Sequence, residues 1–276
     1  MTEFACPRHG TYQRSEGVPE GVPITCGHCR TTANAEREEA RLAFDRQMRV
    51  WRRWEASEVP ARYQACTVGN WLPQPGQETA ARMLQVWADD VRLHWNSGEG
   101  LLLMGAPGVG KTHLLAGLTA ACIAAGYSAR YASWPDVWDR CRPPFEGQHP
   151  EALLRDLARI DFLALDEIGV RTGTDKEQAR LFELVDARYR DKLPTIVATN
   201  ATQATLPMIG ERTADRLLEA CIPIAISGDS NRRRALRAGN ARPAIAEPEP
   251  RRVTRVLSIN GNDVEQSHEI NWQNSV

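Results

Sequence analysis

The stretch that decides the fold is Leu101-Leu-Leu-Met-Gly-Ala-Pro-Gly-Val-Gly-Lys-Thr-His-Leu-Leu115. Its apolar beginning predicts a buried strand, its glycines predict a turn, and its apolar end predicts the start of a helix. Residues Gly105 to Thr112 satisfy the pattern G-x-x-x-x-G-K-[ST], in which successive backbone N–H groups surround phosphate oxygens. The pattern therefore predicts a phosphate-binding loop between a strand and a helix.

Each part of this loop has an expected task in nucleotide binding. Lys111 supplies a positive charge to the β- and γ-phosphates of ATP, and Thr112 offers its hydroxyl to Mg²⁺. The glycines let the backbone curve closely around the phosphates because they carry no Cβ. We expect ATP to contact the whole loop and the first turn of the helix, comprising Gly105, Ala106, Pro107, Gly108, Val109, Gly110, Lys111, Thr112 and His113.

Two later apolar segments each end in polar residues. Residues 160–165 precede Asp166 and Glu167, and residues 194–199 precede Asn200. Near-continuous apolar runs are typical of parallel strands that are buried on both faces, and ligands bind at the carboxyl ends of such strands. We expect Asp166 to hold hydrated Mg²⁺ and Glu167 to orient the water that attacks the γ-phosphate. Asn200 is placed to contact the γ-phosphate or that water.

Two pairs of metal-binding residues lie near the N-terminus. Cys6-Pro-Arg-His9 and Cys26-Gly-His-Cys29 each have two residues between ligands, and the polar segment 10–25 separates the pairs. Two tight turns with two ligands each can provide the four corners of a tetrahedral zinc site. We expect Cys6, His9, Cys26 and Cys29 to bind Zn²⁺, although a set that uses His28 instead of His9 is also possible. Four protein ligands predict a structural rather than a catalytic site.

The remaining segments suggest how the chain is organised. Residues 35–54 and 79–97 have helical composition and spacing, and Gly98 is expected to end the second helix. Thr174 and Glu177 fit a capping box at the start of another helix. From residue 239 the chain is polar and rich in proline, which predicts disorder. We divide it into a zinc-binding module at 1–32, a helical linker at 33–58, an ATPase domain at 59–238 and a disordered tail at 239–276.

Composition limits the classes of protein to which this chain can belong. Its 276 residues, 42% of them hydrophobic and 25% charged, are enough for one full core and a small additional module. A formal net charge of −1 gives no overall attraction to nucleic acid, so any such contact must be local. The N-terminus lacks the features of a signal peptide and no apolar run is as long as a membrane span. We therefore expect a cytoplasmic protein with no membrane association.

With these motifs placed in order, the chain resembles the AAA+ ATPases of the DnaC helicase-loader and IstB-like group. The resemblance runs from about residue 59 to residue 237 and implies an α/β domain with a parallel five-stranded sheet. The zinc-ligand pairs also resemble an N-terminal module found on some loaders. The phrases that carry the resemblance beyond the phosphate-binding loop are Phe162-Leu-Ala-Leu-Asp-Glu-Ile-Gly169, Asp186-Ala-Arg-Tyr189, Ile196-Val-Ala-Thr-Asn200 and Gly210-Glu-Arg-Thr-Ala-Asp-Arg-Leu217.

The resemblance implies roles for two further arginines. Arg216, with Arg212 as the second choice, corresponds to the arginine that reaches ATP held by a neighbouring subunit. Arg232 corresponds to an arginine that senses nucleotide in its own subunit. In this chain Asn231 replaces the aromatic residue that precedes the sensor arginine in the family pattern.

The resemblance also implies a function. We expect an ATP-dependent loader that places a hexameric DnaB-type replicative helicase on single-stranded DNA and forms homo-oligomers with ATP and DNA. The alternative is an IstB-like ATPase that assembles on duplex DNA and assists a transposase. A third hypothesis is an adaptor that binds ATP as a structural switch without hydrolysing it.

Overall fold

The computed structural model describes residues 3–13, 26–141, 150–169, 174–231, 233, 251–259 and 262–270. The chain divides into two compact units, one of Met1–Arg49 with Arg251–Ile270 and the other of Val50–Pro250 with Asn271–Val276. Among the described residues, no helix combines the length and apolar character that crossing a membrane requires.

The smaller unit begins with a hairpin and a long helix. Strands β1 (Glu3–Cys6) and β2 (Gly10–Gln13) pair antiparallel, with Cys6 opposite Gly10. Helix α1 (Gly27–Glu55) has 29 residues and starts inside the second ligand pair. The predicted linker helix is therefore longer than expected at its N-terminal end. The larger unit starts at residue 50 rather than 59, because Trp54 near the end of α1 is buried in the core of that unit.

The larger unit is built on the parallel five-stranded sheet that the sequence predicts. Its strand order is β4-β5-β6-β3-β7, and every neighbouring pair is parallel. The strands are β3 (Gly100–Gly105), β4 (Ala129–Ser133), β5 (Phe162–Ile168), β6 (Thr195–Thr199) and β7 (Cys221–Ile226). β3 is the fourth of the five strands, so the phosphate-binding loop emerges between the ends of β6 and β7.

Helices cover both faces of the sheet because side chains alternate along each strand. Leu101 and Leu103 point into one core, while Leu102 and Met104 point into the other. Helices α2 (Glu78–Asp89), α3 (Val91–Ser97) and α4 (Lys111–Ala124) contribute to the first core. Helices α5 (Trp134–Cys141), α6 (Pro150–Arg159), α7 (Asp175–Arg190) and α8 (Glu211–Ala220) contribute to the second.

Both edge strands of the sheet have features that limit pairing with a further strand. The backbone N–H of Tyr131 in β4 donates to the carbonyl of Ser57 at 2.7 Å, so part of that edge is covered by the chain that follows α1. Glu58 adopts a φ of +56° there and forms an ion pair with Arg130. At the opposite edge, β7 contains Pro223, which has no N–H to offer another strand.

Two helix boundaries show how side chains compete with the backbone. The single helix expected over 79–97 is divided, because the carboxylate of Asp90 accepts a hydrogen bond from the N–H of Leu93 and starts α3 anew. Gly98 ends α3 as predicted, with a φ of +75°. Thr174 caps α7 by accepting from the N–H of Glu177 at 3.3 Å. The Glu177 carboxylate accepts from the indole of Trp134 instead of completing the capping box.

The C-terminal tail differs from its prediction. Instead of disorder throughout 239–276, the structure has an antiparallel pair of strands, β8 (Arg251–Ile259) and β9 (Asn262–Ile270). Residues 251–259 contain Val253, Thr254, Val256, Leu257 and Ile259, residue types that favour a strand. The prediction of disorder rested on the proline-rich segment that precedes these residues. Residues 239–250 and 271–276 lie outside the described residues.

Arg188 of α7 joins several backbone segments in the interior. Its side chain is fully buried, and burial lowers the pKa of the guanidinium, which the nearby Asp161 opposes. The guanidinium donates to one hydroxyl and four well-aligned carbonyl oxygens at 2.7–3.1 Å, on Thr195, Leu157, Ile160, Asp161 and Pro194. These contacts connect α6 with the segments that lead into β5 and β6. Arg188 therefore has a structural role, which accounts for the arginine in the family-like phrase 186–189.

We expect Arg188→Met to lower the free energy of unfolding by about 3–5 kcal/mol, since it leaves buried carbonyl groups without their donor. The exposed Arg190, which forms an ion pair with Asp186, provides a matched control. Arg190→Met should change stability by less than about 1 kcal/mol. Urea denaturation followed by circular dichroism measures both values. Equal stability of the two variants would contradict the role assigned to Arg188.

Candidate nucleotide site and metal cluster

The phosphate-binding loop requires glycine at two of its turns. Gly108 and Gly110 have φ values of +88° and +111°, in the region that side chains disfavour. A Cβ on Gly110 would also lie 2.5 Å from the indole nitrogen of Trp71. The loop leads from the end of β3 into α4, whose first residue is Lys111. The structure thus produces the strand, turn and helix that the motif predicts.

Lys111 and Asn200 meet inside this loop. The Lys111 ammonium is largely buried and donates to the carbonyls of Gly105 at 2.7 Å and Ala106 at 2.9 Å. It also donates to the side-chain oxygen of Asn200 at 2.8 Å. Asn200 follows β6, which is adjacent to β3 in the sheet. Both residues therefore face the place where the motif puts the terminal phosphates.

Asp166 is a buried carboxylate with three hydrogen-bond donors. The hydroxyls of Thr112 and Tyr131 donate to its Oδ2 at 2.8 and 2.9 Å, and the N–H of Glu167 donates to its Oδ1. The hydroxyl and carboxylate predicted to hold Mg²⁺ are consequently in direct contact. Oxygen ligands of this kind suit Mg²⁺, so the residues present fit the ion.

Tyr131 is a site residue that sequence analysis missed. It lies on β4, opposite Ala164 of β5, from where its side chain reaches the Asp166 carboxylate. Burial raises the pKa of the phenol, and the charge of Asp166 raises it further, so the hydroxyl stays protonated and donates. Because β4 carries no recognisable motif, only the pairing of β4 with β5 reveals this contact.

Glu167 adopts a left-handed backbone conformation with a φ of +59°. The register between β5 and β6 shifts between Leu165 and Ile168, which places an irregularity at this residue. Such a conformation costs on the order of 1–3 kcal/mol for a residue with a side chain, and it occurs most often at functional sites. Asp166 is buried while Glu167 is exposed. The irregularity therefore separates the environments of two consecutive carboxylates.

His113 contacts a loop that precedes α2. Its Nε2 lies 3.0 Å from the carbonyl of Thr67 and 2.9 Å from Oδ1 of Asn70, and burial lowers the pKa of the ring. Gly117, one turn further along α4, permits the close approach of Thr67, because a Cβ would meet that backbone at 2.6 Å. The imidazole predicted to contact ATP is thus held against residues 67–70.

Arg216 lies on α8 and packs against α7. Its guanidinium donates to Asp186 at 3.3 Å and lies 4.9 Å from the ring centroid of Tyr189. Arg212, the second choice, stacks on Phe182 at 4.5 Å. The family-like phrases at 186–189 and 210–217 therefore meet in space. Arg232, the predicted second sensor, lies outside the described residues.

The four predicted zinc ligands form a cluster. The ligand atoms of Cys6, His9, Cys26 and Cys29 all lie within 4.8 Å of one another. The three Sγ atoms lie 3.3–3.6 Å from Nδ1 of His9, and the Sγ atoms of Cys6 and Cys29 lie 3.6 Å apart. A tetrahedral zinc ion with bonds of about 2.0–2.3 Å requires ligand separations of roughly 3.5–3.8 Å. The donor set and its spacing therefore fit Zn²⁺, and the cluster contains His9 rather than His28.

The similarity of this chain to a known protein family lies in its larger unit. The family model of IstB-like ATP binding proteins matches residues 81–238. The chain belongs to this family. The match includes the phosphate-binding loop, Asp166, Glu167, Asn200 and Arg216, whereas the cysteine and histidine cluster precedes it. The family assignment made from the sequence motifs is therefore confirmed.

Relatives and solved structures agree with this assignment. Over 177 residues the chain is 29% identical to the replicative helicase loader DnaC of Escherichia coli strain K12, covering 63% of this chain and 71% of that protein. A crystal structure of the DnaC helicase loader aligns with a TM-score of 0.55 at 23% identity, over 60% of this chain and 98% of that one. A crystal structure of DnaI aligns with a TM-score of 0.53 at 20% identity, over 60% and 94%. These structural likenesses show a common fold.

We expect Cys26→Ser to release zinc from the protein, because it removes one of four thiolate or imidazole ligands. Zinc content should fall from about one ion per chain to well below that value in metal analysis of the purified protein. His28→Ala is the matched control, since His28 is outside the four-ligand cluster, and it should keep its zinc. Full zinc content in Cys26→Ser, or its loss in His28→Ala, would contradict the ligand assignment.

Proposed function

We propose that this protein is an ATP-dependent loader of a hexameric DnaB-type replicative helicase onto single-stranded DNA. The observation that carries the proposal is the 29% identity to a replicative helicase loader over 177 residues. The DNA of a replicating cell is the proposed site of action, so we also propose a cytoplasmic location. The IstB-like description of the family favours one alternative, an ATPase that assists a transposase on duplex DNA.

We propose that ATP is bound and hydrolysed at the carboxyl edge of the sheet. Lys111 would neutralise charge on the terminal phosphates, and Asn200 would help to place them. Thr112 and Asp166 would hold Mg²⁺, which neutralises phosphate charge when bound. Glu167, exposed beside the buried Asp166, would orient the attacking water and accept its proton.

Arg216 is proposed to complete the site of a neighbouring subunit. A guanidinium suits charge that is spread over phosphate oxygens, and the packing of Arg216 against Asp186 and Tyr189 would present it from a fixed helix. Hydrolysis would then depend on assembly of several subunits on ATP and single-stranded DNA. In this proposal the zinc-binding module contacts the helicase, while the ATPase unit forms the homo-oligomer.

We expect Lys111→Ala and Glu167→Gln to separate ATP binding from hydrolysis. Loss of the Lys111 charge should weaken ATP binding roughly 10- to 100-fold. Glu167→Gln should keep the affinity and reduce turnover on the order of 10²–10³-fold, because it removes only the general base. Binding is measured with a fluorescent ATP analogue and turnover by phosphate release.

A matched control for this pair is Glu183→Gln, which changes an exposed carboxylate on α7 that pairs with Arg180. It should leave both quantities near their original values. Turnover by Glu167→Gln at the rate of the unchanged protein would refute the assigned base. ATP binding without turnover in the unchanged protein would favour the non-hydrolysing adaptor.

The proposed function is tested by partner capture followed by loading. Full-length protein with ATP should retain the DnaB-type helicase of the same host, and helicase should then remain on circular single-stranded DNA after a high-salt wash. The Cys26→Ser variant should bind ATP normally but retain less helicase. Capture of a transposase together with duplex DNA, and no capture of helicase, would instead support the IstB-like alternative.

A further inference from the structure

The segment that follows β7 lies directly on the phosphate-binding loop. The backbone N–H of Asn231 donates to the carbonyl of Gly108 at 2.9 Å, and its side-chain amide donates to the carbonyl of Val109 at 3.5 Å. A Cβ on Gly108 would meet the Ser230 hydroxyl at 2.2 Å, so the two segments are in close contact. The residue that departs from the family pattern, Asn231, therefore contacts the loop.

Gln74, shortly before α2, holds this segment in place. Its side-chain nitrogen donates to Oδ1 of Asn231 at 2.8 Å and to the carbonyl of Asp229 at 2.6 Å. Its side-chain oxygen accepts from the N–H of Asp229 at 3.1 Å. Gln74 is 7% exposed, so losing these bonds would leave polar groups unpaired in the interior.

A second glutamine extends the same network. Gln77 is 1% exposed, donates to the carbonyl of Ser227 and accepts from the backbone N–H of Gln74 at 2.7 Å. Gly228 has a φ of +121°, and a Cβ there would lie 3.0 Å from both glutamine side chains. We call Gln74, Gln77 and Asn231 the amide clasp. It connects the start of α2 to the phosphate-binding loop through residues 227–231.

The clasp acts on carbonyl groups, which determines the direction of the adjacent N–H groups. In a trans peptide the C=O of one residue and the N–H of the next lie in one plane and point in opposite directions. A donor on the Gly108 carbonyl therefore orients the N–H of Val109, and a donor on the Val109 carbonyl orients the N–H of Gly110. These N–H groups belong to the set that the loop motif directs at phosphate oxygens.

We infer that Gln74 and Asn231 are positioning residues for the polyphosphate of ATP. They touch the outer side of the loop, not the nucleotide, and hold its peptide planes in the orientation that phosphate binding needs. Asn231 stands where the family pattern has an aromatic residue, and its amide is paired with that of Gln74. This inference rests on the proposed ATP site but is independent of whether the partner is a helicase or a transposase.

The test compares Gln74→Met with Gln85→Met on full-length protein. Both remove an amide and keep its approximate volume, but Gln85 is exposed on α2, where its side-chain nitrogen donates to Asp89 at 2.8 Å. Gln74→Met should weaken binding of ATP and ADP roughly tenfold, as expected when one or two hydrogen bonds that orient the loop are lost. Gln85→Met should bind both nucleotides as the unchanged protein does. Isothermal titration calorimetry gives the affinities.

A double substitution distinguishes the clasp from general stabilisation. Asn231→Ala keeps the backbone N–H that donates to Gly108 and removes the side chain that Gln74 holds and that donates to Val109, so it should weaken binding by less than Gln74→Met. The double variant should be little weaker than Gln74→Met alone, because the Asn231 side chain acts through its bond to Gln74. A purely structural role would lower the melting temperature without changing affinity measured well below it. If Gln74→Met does not fold, Asn231→Ala carries the test, since that side chain lies at the surface.

Three results would overturn the inference. The first is unchanged ATP and ADP affinity in both Gln74→Met and Asn231→Ala, and the second is full additivity of the two effects. The third is an equal loss of affinity in Gln85→Met. Failure of the unchanged protein to bind ATP would reject the ATP site and the inference together, whereas binding that needs Lys111 but not the clasp would reject the inference alone.

Discussion

The candidate site depends on the buried ammonium group of Lys111, which donates hydrogen bonds to carbonyl groups of its own loop. The ammonium of Lys111 is paired with two carbonyls at the end of β3 and with the Asn200 side chain. A buried ammonium needs such partners, since an unpaired charge in the interior is very costly. The contact with Asn200 exists only because β6 is the neighbour of β3. The geometry of the candidate site therefore depends on the strand order of the sheet as well as on the loop.

Asp166 is a second buried charged residue of the site that is held by hydrogen bonds from several elements. One carboxylate receives donors from α4, from β4 and from its own strand. Each donor arrives from a different element, so the position of Asp166 is determined by the whole sheet rather than by its local sequence. Its neighbour Glu167 adopts a strained conformation at an irregularity of β5. Two consecutive acidic residues thereby acquire a buried and an exposed environment, which matches their different proposed tasks.

Much of this could be predicted from local sequence, and the remainder required contacts between distant segments. The strands that precede Gly105, Asp166 and Asn200, the phosphate-binding loop and the caps at Gly98 and Thr174 follow from hydrophobic runs and residues with specific backbone preferences. The count of five strands is what the family resemblance implies. Tyr131 was missed because its partner Asp166 is distant in sequence and β4 carries no motif. Arg188 stands in the family-like phrase 186–189, but its structural role follows only from its contacts with α6 and with the segments before β5 and β6. The break at Asp90 was missed because one side-chain hydrogen bond overrode a continuous helical pattern. The cluster of three cysteines and one histidine could be anticipated because two short spacings specify its four residues.

The two edges of the sheet affect how copies of this chain can associate. An open edge strand offers unpaired backbone groups to any similar strand, and this is a common route to aggregation. Here Ser57 already accepts from β4, and Pro223 removes a donor from β7. Sheet-to-sheet extension is therefore discouraged at both ends. The homo-oligomer proposed for this chain would therefore have to form through side-chain surfaces rather than through strand pairing, so that it could dissociate without breaking a sheet.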